Sequence, residues 1–198
     1  MTAGDTAVRT GRPRSQAADD AILRAALDLV REHGYGGLTM ASIIERAGVS
    51  SATLYRRWAT KQDLVLAALE TMRPEPVSTD TGSLDGDVRA FLRHTCGAID
   101  RGWAELSDAI GLEANSNPQL AAALRERFLD PRVDELKAIL ERAKRRGELA
   151  SAPSGEVALS LVVGPVHHHA IVMRRPLTDG FLRKAADHAV AGLRAASL

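Results

Sequence analysis

The chain has 198 residues, 45% of them apolar, and sets 26 Lys and Arg against 25 Asp and Glu for a formal net charge of +1. That balance excludes a globally basic nucleic-acid binder, so any attraction to DNA has to come from local clustering. The single cysteine, Cys96, excludes an intrachain disulfide, and the longest apolar run, Ala158 to Val166, is too short to span a bilayer; a cytoplasmic protein with no membrane partner is expected.

Residues 1–14 are polar and rich in Gly, Thr and Arg, and are expected to form a flexible basic arm. Ile22, Ala25, Ala26, Leu29 and Val30 then recur at helical spacing, marking one face of an amphipathic helix that ends at Gly34. Tyr35 and Leu38 read as core anchors in a glycine-rich connection. Thr39 is placed to cap a second helix that buries Ile43, Ile44 and Ala47.

Gly48 and Val49 form the next turn, and Ser50 caps a helix of about two turns, too short to stand without neighbours. Leu54 and Trp58 turn this helix towards the core. Ser51, Ala52 and Tyr55 then point away, with Thr53 and Arg56 at the edges. A fourth helix starts after Thr60 and runs to Met72. Residues 15–72 therefore follow a helix-turn-helix plan.

The span from Arg46 to Gln62 holds Arg46, Arg56, Arg57 and Lys61 and no acid. Hydroxyls and a methyl at a helix N-terminus suit base edges in a major groove, while Tyr55 and Lys61 suit phosphates. Lys61 stands at the start of the fourth helix, where free backbone N–H groups also favour an anion.

From Arg73 to Ser83 the composition shifts to Pro, Ser, Thr, Asp and Gly, which reads as a linker. Residues 84–198 are helical again. Val88, Phe91, Leu92, Thr95 and Ile99 mark one helix, and Leu106, Ala109, Ile110 and Glu113 the next. Asn117 and Pro118 open a long helix kinked at Pro131 and closing near Gly147. Pro153 opens another, kinked at Gly164-Pro165 and running to Met173, and Thr178 caps the last. No segment alternates with period two, so the fold class is all-α.

Gly34-Tyr35, Leu38-Thr39, Ile43, Ala47-Gly48-Val49-Ser50, Thr53-Leu54-Tyr55, Trp58, Lys61 and Leu64 resemble the DNA-binding domain of the TetR (tetracycline-repressor-like) family, over residues 16 to 68. The resemblance implies a homodimeric transcriptional regulator, usually a repressor, on a pseudo-palindromic operator. Its contacts fall on Thr39, Ser51, Ala52, Thr53, Tyr55 and Lys61, with Ser50 and Arg56 beside them. Where family members often carry a larger polar base-reader, this chain has Ser51 and Ala52.

A second source of specificity is offered by the arm, where Gly11-Arg12-Pro13-Arg14 resembles the core of AT-hook segments that lay arginines into a narrow minor groove. The alternative is a merely solvating tail.

Residues 84–198 resemble the ligand-binding and dimerisation domain of one large group of the family, through Val162 to Val166, Pro176-Leu177 and Phe181. This implies a small-molecule effector and a dimer bundle built from the last two helices, whose small residues Ala158, Gly164, Ala185, Ala186, Ala189 and Gly192 permit close packing. Phe91, His94, Trp103, Leu112, Phe128, His167 and His168 are the candidate lining of the effector cavity, with His167 and His168 alternatively at the dimer seam.

His167-His168-His169 also invites a metal-binding sensor or enzyme as an alternative. Consecutive helical residues diverge by about 100°, so the three cannot converge on one ion, and only His169 and Met173 share a face. Neither Cys96 nor Ser107 stands in a nucleophile-and-base pattern. No cofactor, metal or catalytic residue is expected.

Overall fold

The computed structural model describes residues 13–73, 79–98, 102 and 104–196. Among these there are ten α-helices and no strand. The chain divides into two compact units between Thr71 and Met72.

In the first unit, α1 spans Pro13–Gly37, α2 Met40–Ala47, α3 Ser51–Tyr55 and α4 Lys61–Glu70. Pro13 and Arg14, which the sequence places in the arm, form the first turn of α1 instead. A proline fits there, since its missing N–H is one the first turn leaves unpaired anyway. Ile22, Ala25, Ala26, Leu29 and Val30 are all buried, as their spacing requires. At Gly34 the backbone leaves the helix with φ 70° and ψ 172°, and Tyr35 and Leu38 drop into the core behind it.

α1 packs on both α2 and α4, and α2 on α3. Ile43 is fully buried, whereas Ile44 and Ala47, placed in the core by the sequence reading, are half-buried. Trp58 is also half-buried, which leaves Leu54 as the full anchor of α3. α4 stops at Glu70, short of the expected Met72.

The second unit contains α5 (Leu84–Ala98), α6 (Ala104–Ala114), α7 (Pro118–Leu124), α8 (Asp130–Arg145), α9 (Gly155–His167) and α10 (Asp179–Ala195). Its core joins Leu84, Val88, Phe91 and Leu92 of α5 to Leu136, Ile139 and Leu140 of α8 and to Val162, Val166, Ala186 and Val190 of α9 and α10. Cys96 lies in the same core as a buried free thiol.

Two expected kinks take the form of π-helical turns. Residues Arg125–Leu129 form one between α7 and α8, where Asp130 N–H donates to the Arg125 carbonyl. Pro131 has no N–H to offer the Arg127 carbonyl, and the Arg73 guanidinium donates to that carbonyl at 3.3 Å. The other, His168–Val172, follows Pro165 and continues α9. α9 itself starts at Gly155 behind a Ser154 cap, two residues later than the proline suggests.

Part of the segment expected as linker is tied to the second unit. Asp87, with no exposed surface, accepts from the Thr81 N–H and hydroxyl at 2.7 Å each and pairs with Arg146 at 3.1 Å. Arg142 adds hydrogen bonds to the Thr79 carbonyl and hydroxyl. Expected linker residues 74–78 lie outside the described residues.

Candidate nucleic-acid interface

The surface is built by three caps and one turn. Thr39 Oγ1 accepts from the Ser42 N–H at 3.1 Å while Ser42 Oγ accepts from the Thr39 N–H at 3.2 Å, a reciprocal capping box that starts α2. Gly48 ends it at φ 65°, ψ 34°, a left-handed conformation that costs a side-chain-bearing residue about 1–2 kcal/mol. The Val49 N–H then reaches back to the Ile44 carbonyl at 3.3 Å and closes the turn.

Ser50 Oγ accepts from the Thr53 N–H at 3.2 Å, and its hydroxyl meets that of Thr53 at 2.9 Å. Thr60 Oγ1 does the same for the Asp63 N–H at the head of α4. With Leu54 fully buried, the five-residue α3 has one orientation only. Ser51, Ala52, Tyr55 and Arg56 are exposed, Tyr55 at 52%, and Thr53 is half-buried. Thr39 and Ser50 are exposed beside them.

The acid-free basic stretch is not acid-free in space. Arg46 makes a bidentate pair with Glu32 of α1 at 2.9 and 2.8 Å, and Arg57 meets Asp19 of α1 at 2.6 Å. The hydrogen bond from Arg46 holds the Glu32 carboxyl below its usual range and in turn raises the arginine. Lys61 Nζ donates to the Tyr35 carbonyl at 3.0 Å and lies 4.4 Å from the centroid of the Tyr35 ring. Arg56 alone of the four cations has no partner among the described residues.

Asp19 and Glu32 are thus parts of this surface that sequence reasoning missed. By helical spacing Asp19 continues the stripe of Ile22, Ala26 and Val30 and Glu32 flanks it beside Ala25, but nothing local says which cation of α2 or α3 either meets. Of the two expected arm contacts, Arg12 lies outside the described residues; Arg14 is in the first turn of α1, its side chain outside the description.

The candidate effector residues differ in burial. Phe91 is fully buried in the core and Phe128 is 5% exposed, whereas His94 is half-buried. Leu112, expected to line a cavity, is 76% exposed, because it falls on the face of α6 opposite Leu106 and Ile110. His167 and His168 are exposed as well, and Trp103 lies outside the described residues.

Two cavities of about 370 and 360 Å³ lie elsewhere: one lined by Arg89, Arg93, Asp179 and Arg183, the other by Leu161, Pro165, Phe181 and His188. His169 stacks on Phe181 with ring centroids 3.8 Å apart. Among the described residues no three His, Cys, Asp or Glu side chains are grouped to hold a metal ion, and no helix is long and apolar enough to cross a membrane.

The small residues of α9 and α10 let the two helices pack closely within the chain. Ala158, Ala185, Ala186 and Ala189 are buried within the single chain, and a Cβ on Gly192 would stand 2.9 Å from Leu161. Gly164 is the exception, with nothing within 4 Å.

Residues 22–68, which carry the caps, the Gly48 turn and α3, match the model of bacterial regulatory proteins of the tetR family, and residues 78–189 match the tetracyclin repressor-like C-terminal domain. The chain belongs to the TetR family. This TetR-family protein is 31% identical over 191 residues to the uncharacterized HTH-type transcriptional regulator YdeS of Bacillus subtilis, covering 96% of each chain. It is 28% identical to the DNA-binding transcriptional repressor TetR of Mycobacteroides abscessus, over 88% of this chain and 92% of that one.

Among solved structures it shares the fold of the flavonoid-responsive regulator FrrA, with a TM-score of 0.71, 24% identity and coverage of 91% and 97%. This TetR-family chain is a DNA-binding transcriptional regulator.

Proposed function

We propose that this regulator is a cytoplasmic homodimeric repressor that holds a pseudo-palindromic operator through α3 and releases it when a small molecule occupies the C-terminal unit. One observation carries the DNA reading: a five-residue helix, fixed by buried Leu54, leaves Ser51, Ala52, Tyr55 and Arg56 facing solvent.

Ser51 and Ala52 read base edges, the alanine methyl against thymine methyls, while Thr39, Tyr55 and Arg56 hold phosphates. Thr53 and Ser50 serve first as the cap, and their hydroxyls keep acceptor capacity for the duplex. Lys61 uses one of its three donors on Tyr35 and offers the others to a phosphate. Arg12, which precedes α1 in the sequence, supplies a minor-groove contact beside the α3 half-site.

A dimer would present two copies of α3 about 34 to 36 Å apart, one turn of duplex. The repressor named among its relatives supports the direction of regulation, and the flavonoid-responsive regulator that shares its fold supports an effector of aromatic character. Both units consist of regulator domains, which supports a non-enzymatic role.

The deciding experiment is a protection assay on the promoter region adjoining its own gene, with and without cell extract. A protected pseudo-palindrome that opens on addition of extract is expected. Protection of no sequence at low salt would overturn the operator reading.

A further inference from the structure

α5 and α8 pack against each other, and their facing residues carry more than apolar contacts. Phe91 and Thr95 stand four residues apart on α5; Phe128 and Arg132 stand four residues apart across the π-helical turn into α8. Phe91 and Thr95 share one face of α5, and Arg132 meets that face from α8. Thr95 is 4% exposed, and Arg132 Nη1 donates to its hydroxyl at 2.8 Å.

Arg132 is half-buried and carries five donors in a rigid fork, yet this one neutral hydroxyl is its only hydrogen-bond partner among the described residues. Its charge is opposed by another cation, Arg73, and favoured by Glu135, three residues on and beyond ion-pair distance, and by Cys96. Burial first, then repulsion by Arg73, weakens the hold of the guanidinium on its proton. Arg73 itself lies 5.8 Å from the Phe128 ring.

A cation partly withdrawn from water, with no carboxylate within ion-pair distance among the described residues, is costly to keep. Folding alone gives no reason for it, because a methionine of similar length would fill the seam without that cost. A carboxylate brought by a ligand gives the reason: it accepts two parallel bonds from the fork, as an arginine is shaped to donate, while the ligand's body rests on the phenylalanine side chains.

We propose that Arg132, seated against Thr95 between α5 and α8, is the anion-recognising group of the effector site, which takes a small molecule with a carboxylate on an apolar or aromatic body. This inference rests on the effector-controlled reading above and names the class of its ligand. It also corrects the expected cavity residues: Phe91 and Phe128 belong to this site, while exposed Leu112 does not.

Binding of 1-naphthoate and of 1-naphthamide, equal in shape and different in charge, to the full-length protein by calorimetry is the test. The carboxylate is expected to bind about 10- to 150-fold tighter than the amide, the range of a charge-assisted hydrogen bond. Arg132→Gln should bring the two within about twofold, and Arg132→Lys should keep part of the difference because it keeps the charge without the fork. Equal binding of both by the wild type, or a preference that survives Arg132→Gln, overturns the proposal.

If neither probe binds, the melting temperature of Arg132→Met decides: a rise is expected for a charge held ready for a ligand, and a fall marks a structural clamp on Thr95 and overturns it. Operator release separates this site from the wider reading. Naphthoate that binds through Arg132 and leaves the operator occupied counts against effector control and not against the anion site.

Discussion

Arg46 of α2 grips Glu32 of α1 through two parallel hydrogen bonds of 2.9 and 2.8 Å, so the cation nearest the Gly48 turn is neutralised before any DNA arrives. The pair ties α2 to α1. It also trims the positive field of the proposed DNA surface, where Arg57 is matched by Asp19 in the same way.

Replacing Glu32 by Gln keeps the shape and removes the charge. Arg46 is then free for phosphate, and non-specific affinity should rise with a steeper salt dependence, by up to about 0.9 in the slope of log K against log salt. Titrations of a random duplex at several salt concentrations measure this directly. An unchanged slope would mean that Arg46 stays out of reach of the duplex.

Leu54→Ala removes the side chain that aims α3. A fully buried leucine truncated in this way costs about 2–5 kcal/mol, and the N-terminal unit carries that loss. Operator binding should disappear while the helical signal of residues 84–196 persists. Tyr55→Phe and Arg56→Ala are the contrasting pair: both side chains are exposed, so melting is expected to be unchanged while affinity falls. Tight operator binding by Leu54→Ala would contradict the part given to α3.

Gly48 separates strain from clash. A Cβ there meets nothing within 4 Å, but φ is +65°. Gly48→Asn should therefore be tolerated, because asparagine enters the left-handed region more readily than other residues, whereas Gly48→Val should lose about 1–2 kcal/mol or more. Denaturant midpoints of the two variants check the order.

The elements legible in the sequence are those signalled within a few residues. Thr39, Ser50, Thr60, Asn117 and Thr178 each announce a helix from its N-cap, and all five cap one in the structure. The spacing of Ile22 to Val30 likewise gave the buried face of α1. What escaped depends on partners far along the chain. The carboxylates that neutralise Arg46 and Arg57, the Arg146 pair with Asp87 and the Arg73 cap on the Arg127 carbonyl all join distant segments.

Pro131 did signal a disturbance, but a missing N–H is equally well met by a kink or by a widened turn. Leu112 misled for a different reason. An apolar residue on a helix suggests burial, yet its direction relative to Leu106 and Ile110 placed it outward.

The last prediction concerns pH, and two sets of carboxyls pull in opposite directions. Burial tends to raise Asp87, but hydrogen bonds from Thr81 and Arg146 and the charge of Arg142 outweigh it and hold the carboxyl below its usual range. Glu148 is lowered in the same manner: the Leu84 N–H, at 2.8 Å, and Arg146 outweigh burial. A folded value below the unfolded one means stability that is present above the unfolded pKa, about 4, and lost as pH falls through the folded value.

Glu135 has the reverse sign. Burial raises it despite Arg132 and Arg142, so its penalty is absent in acid and grows as pH climbs from about 4.3 through its folded value. Unfolding in urea from pH 3 to 8 separates the two. Asp87→Asn should lose about 1–3 kcal/mol at pH 7 and flatten the acid limb, because the residues that met the carboxylate remain while its charge is gone. Glu135→Gln should be more stable than the wild type at pH 7 and indistinguishable from it at pH 3. An Asp87→Asn protein whose acid limb matches the wild type would show that the Thr81 strap, and not the charge, carries the contribution of this residue.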